Sequence, residues 1–318
     1  MYRPQIKVLD CTIRDGGLIN DWNFTDDFVK KVFKAVNASG VDYVELGYKS
    51  SRDQFDASKV GKWKFCDEDD VKSVLGDDPY QVKLSAMCDI GRIAHEDILP
   101  ASQSVLDMIR VACYTKEVDK AIDLCNHIIN KGYETTINIM AASKASDSEL
   151  DEAVHQIAQE CKPLAVYVVD SFGSLYSEQI HHYVDKYKKI LNPKGIEVGI
   201  HAHNNQQLGF ANTIESIIHG ANFLDATING IGRGAGNCPL ELLLGFLKNP
   251  KFKLTPILDV IEKEFLPLRE QIEWGYLIPY MITGILNEHP RSAIELRESD
   301  KKDHFVEFYE SFKDALYS

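Results

Sequence analysis

No stretch of this 318-residue sequence approaches the roughly 20 consecutive apolar residues of a membrane span. The opening residues, MYRPQIKVLDCT, contain neither an apolar core nor a small-residue cleavage pattern, so neither a membrane anchor nor a signal peptide is expected. Basic residues are scarce: 35 Lys and Arg face 48 Asp and Glu, a net charge of −13. That excess disfavours a nucleic-acid partner, which needs clustered cations, but leaves room for a small anion held by a local arginine. The seven cysteines (Cys11, Cys66, Cys88, Cys113, Cys125, Cys161 and Cys238) are odd in number and form no CxxC pair. Several lie in apolar runs such as MIRVACY. A disulfide framework is therefore not expected, and buried free thiols in a reducing cytoplasm are. Nor does any Gly/Pro-rich linker divide the first 250 positions.

What is present is a rhythm. Hydrophobic residues make up 44% and charged residues 26%, enough for a large soluble core. Eight short β-like runs recur: Ile6–Asp10, Asp42–Gly47, Val82–Cys88, Leu106–Ala112, Thr135–Ala141, Leu164–Asp170, Ile196–His203 and Phe223–Gly230. Most are near-continuously apolar, as expected of parallel strands covered on both faces. Between them lie amphipathic stretches. Asp26–Ser39 places Phe28, Val32, Phe33 and Val36 on one stripe, with Thr25 as N-cap and Gly40 closing the helix. Lys116–Asn130, with Gly132 just beyond it, and Ser148–Glu160 read similarly; only a short helix near Glu96–Leu99 is legible after the third run. Eight βα units in succession predict a (β/α)8 TIM barrel over residues 1–249, with a doubly wound open sheet as the alternative. Residues 250–318 read as a C-terminal helical extension broken by Pro256, Pro267, Pro279 and Pro290. The charge runs Asp67–Asp70 and Glu298–Asp303 read as solvated faces.

In such a barrel the strand C-termini form the active face. They carry Arg14 and Asp15 in DCTIRDGG, Glu45, Asp170 and Ser171, His201 and His203 in HAHNN, and the loop GIGRGAGN ending at Asn237. Two histidines two apart share a strand face. Closure pairs strand eight with strand one, so Asp15, His201, His203 and Asn237 converge. This His₂/carboxylate/amide set suits a divalent metal, Mg²⁺ or Mn²⁺ first, with Zn²⁺ and Co²⁺ also compatible. A dinucleotide loop is the competing reading of GIGRGAGN, but its glycines depart from G-x-G-x-x-G and follow the last strand. A loop shaped by glycine so that Asn237 reaches inward explains it better. Gly16 and Gly17 are expected to allow a tight turn that aims Arg14 and Asp15.

DCTIRDGG, VELG, HAHNNQQLGFAN and INGIGRGAGN together resemble the metal-dependent aldolase and acyltransferase (HMGL-like) superfamily, over about residues 5–247. The pattern stands nearest the 4-hydroxy-2-oxovalerate aldolases. The resemblance implies metal ligation by Asp15, His201, His203 and Asn237, stabilisation of an enolate by Arg14, and orientation of that arginine by Glu45. It implies a carbon–carbon lyase acting on a 2-oxo acid such as a 4-hydroxy-2-oxo acid or pyruvate. The same metal site would also serve an acyl-CoA-dependent Claisen condensation. It further implies a contact through the C-terminal helices, with a second copy of the chain or a dehydrogenase partner. One position departs from the pattern. Related aldolases carry a general-base histidine three residues after the metal-binding Asp, where this chain has Leu18; a non-catalytic binding protein on the same barrel would tolerate that change. Tyr48, Lys49 and Asp170 are replacements by position only, and each reads first as ordinary structure: a packed aromatic, a surface charge and a strand-end cap. Cys238 reads as packing.

Overall fold

The fold is described from a computed structural model covering residues 2–76 and 78–312. Eight parallel strands close into a barrel in sequence order: β1 (Lys7–Asp10), β2 (Tyr43–Tyr48), β3 (Lys83–Asp89), β4 (Met108–Cys113), β5 (Glu134–Ile139), β6 (Ala165–Asp170), β7 (Glu197–Ala202) and β8 (Phe223–Ala226). Closure is made by β1 against β8, with Lys7 opposite Phe223 and Asp10 opposite Ala226. The open-sheet alternative is thereby excluded. No helix among the described residues is long and apolar enough to cross a membrane, and all seven cysteines are buried free thiols.

The strand period of two sorts side chains between two layers. Val8, Val44, Ile109, Val166 and Leu224 face outward and pack under the helices. Leu9, Tyr43, Met108, Tyr167 and Phe223 face inward and fill the barrel with apolar bulk. Glu45, Arg110 and Asp225 share the inward parity and are fully buried, so the interior also contains a charged layer.

The helices start and stop where local chemistry dictates. Asp26–Ser39 begins with Phe28 N–H donating to Thr25 Oγ1 at 3.2 Å and ends at Gly40, whose φ of 78° needs glycine. Asp147–Glu160 begins with a capping box in which Glu149 N–H donates to Ser146 Oγ and Ser146 N–H to Glu149 Oε2. After β3 no α-helix forms among the described residues. Only the 3₁₀ turns His95–Asp97 and Ala101–Gln103 appear, because Gly91 and Pro100 bound a segment with no apolar stripe.

Most of these C-terminal prolines start helices rather than break them. Pro256 and Pro279 lie in the first turn of Thr255–Val260 and Ile278–Ile285, and Pro290 caps Arg291–Arg297, whereas Pro267 lies inside a continuous helical stretch directly after the π-helical turn Ile261–Phe265. Phe265 packs 5.4 Å from Phe28 on the barrel's first long helix. Farther along, Asn205 donates to Tyr280 O, and Asn287 bonds Ser143 and Ser174, tying this segment to the barrel mouth. The run Asp67–Asp70 is not wholly solvated. Glu68 accepts hydrogen bonds from Ser104 Oγ and Val105 N–H, because the segment after β3 folds back over it.

Candidate active site

β1 ends at Asp10, and the chain enters the helical turn Thr12–Gly16 that carries Arg14 and Asp15. Asp10 accepts from Thr12 Oγ1 at 2.6 Å, and Thr12 Oγ1 accepts from Ile228 N–H at 2.8 Å, which locks this turn to the loop after β8. Burial pushes the Asp10 carboxyl up to about 7 although the Thr12 hydrogen bonds oppose it. Gly16 and Gly17 do not make a glycine-only turn. Both have φ of −60°, ordinary helical backbone. Gly17 is required by space, since a Cβ there would meet the indole of Trp22, whose Nε1 donates to Arg14 O at 3.0 Å.

Asp15 gathers the other expected ligands. Its Oδ2 lies 3.7 Å from His201 Nε2 and 3.9 Å from His203 Nε2, and it accepts the amide of Asn237. His203 Nδ1–H donates to Asp170 O at 3.0 Å and His201 Nδ1–H to Asp225 Oδ2 at 3.0 Å. Each imidazole therefore turns its Nε2 toward Asp15. His201 Nε2 and Asn237 Oδ1 are buried with no hydrogen-bond partner. The ligand atoms of Asp15, His201 and His203 lie within 4.8 Å of one another. Burial drives the His203 imidazole down to about 3, keeping it neutral. Burial alone would raise Asp15, but Arg14, the two histidines and the Asn237 amide together outweigh it and hold the carboxyl well below the usual range. An ionised carboxylate, two imidazole Nε2 atoms and a spare amide oxygen form a donor set that fits a hard to borderline divalent cation. The loop after β8 delivers Asn237: it bridges to His203, Gly236 takes φ of 76°, and a Cβ at Gly232 would strike the Asn237 amide.

Arg14 is held on two sides. Nη1 donates to Asp15 Oδ1 and Nε to Glu45 Oε2, each at 2.7 Å, which leaves Nη2 without a protein acceptor at the cavity. Glu45 also receives Arg110 Nη1 at 3.2 Å, Arg110 Nη2 reaches Asp225 at 2.8 Å, and Asp225 orients His201. Arg110 and Asp225 escaped the sequence reading. In an apolar run like LDMIRVA, only the barrel's register shows that Arg110 points inward.

Above these groups lies a cavity of about 390 Å³. Leu18 and Tyr48 line it. Lys49 does not: its ammonium is buried against Cys66 O at 3.1 Å and Glu68 at 3.4 Å, so it is neither a surface charge nor a cavity group. Asp170 accepts Ser174 and Leu175 N–H at 2.9 and 3.3 Å as a strand-end cap, and burial pushes it up to about 6. Two cavity residues were missed. Asp89 ends β3, one position beyond the run read from sequence. Arg233 stood in GIGRGAGN but was read past in favour of its glycines. Among the described residues it has no carboxylate partner: its guanidinium reaches Ser171 O and His289 Nε2, both at 3.5 Å, and its Nε is buried and unsatisfied.

The HMGL-like family profile matches residues 5–261. The chain is 30% identical to oxaloacetate decarboxylase of Mycobacterium tuberculosis over 76% of its own length and 69% of the relative's. It is 28% identical to 4-hydroxy-2-oxovalerate aldolase of Bacillus cereus over 96% of its length and 90% of the relative's. An N-terminal domain from Bacteroides vulgatus superposes with a TM-score of 0.78 at 29% identity, covering 95% of this chain and all of that one.

Proposed function

Because the chain belongs to the HMGL-like family, we propose that its barrel mouth breaks or makes a carbon–carbon bond next to the keto group of a 2-oxo acid. The protein is an enzyme, a lyase of the aldolase kind. The observation that carries the reading is the pair of orphaned ligand atoms, His201 Nε2 and Asn237 Oδ1, beside ionised Asp15 and beneath a cavity lined by the guanidinium groups of Arg14 and Arg233. Asp15, His201, His203 and Asn237 would hold a divalent cation, Mg²⁺ or Mn²⁺ first, which would supply Lewis-acid polarisation of the keto group. Arg14 offers Nη2–H where negative charge grows on the keto oxygen, and Asp15 and Glu45 fix it there before the reaction starts. Arg233 offers a charge with no carboxylate partner among the described residues for the substrate carboxylate, and burying it without an anion is costly.

Leu18 favours a second reading within the same class. Loss of CO₂ from a β-carboxylated 2-oxo acid needs no proton removed before the bond breaks, so an apolar residue at this position is no obstacle to it. Both readings pass through the enolate of pyruvate or a close analogue. The experiment is proton NMR of pyruvate with enzyme and Mn²⁺ or Mg²⁺ in deuterated water. Methyl exchange that EDTA abolishes and oxalate inhibits is expected. Absence of exchange with pyruvate, 2-oxobutyrate and oxaloacetate would overturn the reading.

A further inference from the structure

We propose that Asp89 is the proton carrier of this site, doing from β3 what a base at position 18 would do from β1; the proposal rests on the lyase reading above. Asp89 ends β3 and lines the cavity together with Arg14, Leu18 and Tyr48. Among the described residues no group donates a hydrogen bond to its carboxylate and none forms a direct ion pair with it. Every other carboxylate near the centre is occupied. Asp15 faces the histidines and Asn237, Glu45 and Asp225 are locked on arginines, and Asp170 caps two amides. Glu117, on the loop after β4, accepts Tyr114 N–H. Among the described residues that line the cavity, Asp89 alone has a carboxylate with no hydrogen-bond donor on it. Tyr48 cannot serve as acceptor, because burial pushes its phenol up and keeps it protonated.

The charges around Asp89 come from four segments. Lys64 approaches from the turn after β2, its ammonium boxed by the ring faces of Tyr48, Trp22 and Phe55 at 4.0, 4.2 and 4.4 Å. Arg14 approaches from β1, Arg92 from the loop of Asp89 itself, and Glu117 from beyond β4. Burial raises the Asp89 carboxyl above its ordinary value; Lys64, Arg14 and Arg92 pull it back, and Glu117 adds to the rise. A carboxyl raised in this way holds a proton more readily than an ordinary carboxylate and can hand it back to carbon.

In aldol cleavage the Asp89 carboxylate takes the proton of the C4 hydroxyl. The C3–C4 bond breaks, its electron pair becomes the enolate, and C4 leaves as an aldehyde. The Asp89 carboxyl then returns the proton to C3, which regenerates the carboxylate. In decarboxylation the bond to CO₂ supplies the electron pair, and the Asp89 carboxyl, protonated from water, delivers the proton to carbon. Pyruvate exchange is the same transfer run between the methyl group and Asp89.

Asp89→Asn should lower manganese-dependent pyruvate exchange by at least about 100-fold, while calorimetry shows Mn²⁺ and oxalate binding unchanged. Asp89→Glu should recover part of the rate. Lys64→Met should move the acid limb of the exchange profile to higher pH, since a cation that favours the carboxylate is gone. Asp89→Asn that binds oxalate and exchanges at the wild-type rate overturns the proposal and leaves the lyase reading standing. If Asp89→Asn fails to bind oxalate, Asp89→Glu decides: a displaced acid limb supports the assignment, and a wild-type limb overturns it. A wild-type enzyme inert toward every 2-oxo acid overturns both.

Discussion

Glu45 and Asp225, on β2 and β8, are joined through the barrel interior by one guanidinium. Arg110 donates to Glu45 at 3.2 Å and to Asp225 at 2.8 Å, stacked 4.4 Å from the ring of Tyr167. Glu45 then fixes Arg14, and Asp225 fixes His201, so the active groups rest on a buried charge chain. Arg110→Met would leave two carboxylates buried without their cation. Breaking a buried pair from one side costs about 3–5 kcal/mol. A denaturant midpoint lowered accordingly is expected, and an unchanged midpoint would show that the carboxylates are relieved in another way.

The division between what the sequence disclosed and what it hid follows from the range of the interactions. The barrel was legible because each βα unit carries its own period, cap and stop; Thr25, Gly40 and the apolar strands declare themselves within a dozen residues. Asp15, His201, His203 and Asn237 could be brought together because barrel closure is a topological rule, independent of side-chain detail. Arg110 was hidden because its partners stand 65 and 115 positions away, and only the strand register turns it inward. Lys49 looked like a surface charge because its partners, Cys66 O and Glu68, stand 17 and 19 positions further along the chain. Asp89 was missed by one residue at a strand end, where pattern is weakest.

Asp15→Asn and His203→Ala should each weaken Mn²⁺ binding sharply while leaving the fold intact. The first removes the carboxylate of the cluster, and the second removes one of its two imidazoles. Calorimetric titration beside far-ultraviolet circular dichroism checks both parts, and wild-type affinity in both variants would sink the metal assignment.

Arg14→Lys should retain metal binding and lose about 100- to 1000-fold in exchange rate. Lysine keeps the charge, but it cannot bond Asp15 and Glu45 while presenting a third N–H to the cavity. Normal turnover by this variant would make Arg14 structural.

Arg233→Met should raise the KM for pyruvate and weaken oxalate about tenfold or more, with Mn²⁺ affinity retained, because a charged hydrogen bond contributes about 1.5–3 kcal/mol. The variant should also unfold at no lower temperature than wild type, since the guanidinium has no carboxylate to lose. Steady-state kinetics and a melting curve separate this role from a structural one, which would lower the melting temperature and leave KM unchanged.

Lys64 gives stability a pH dependence that runs opposite to the common carboxylate case. Burial lowers its ammonium from 10.5 to about 8; Asp89 opposes the fall and Arg92 assists it. Between pH 8 and 10.5 the folded state has shed this proton while the unfolded chain still holds it. The unfolded state then binds more protons, so stability rises with pH across that window. The cost of charging Lys64 in the fold is fully present below pH 8 and gone above 10.5. At about 1.4 kcal/mol per pH unit, that cost is at most about 3.5 kcal/mol, and the faces of Tyr48, Trp22 and Phe55 return part of it. Lys64→Met lacks the term altogether. Denaturant melts of both proteins from pH 7 to 10.5 should show the variant's advantage shrinking as pH rises, since only the wild type recovers the charging cost. A stability difference that stays flat over that range would mean that Lys64 keeps its proton, and that the aromatic box holds a permanent cation beside Asp89.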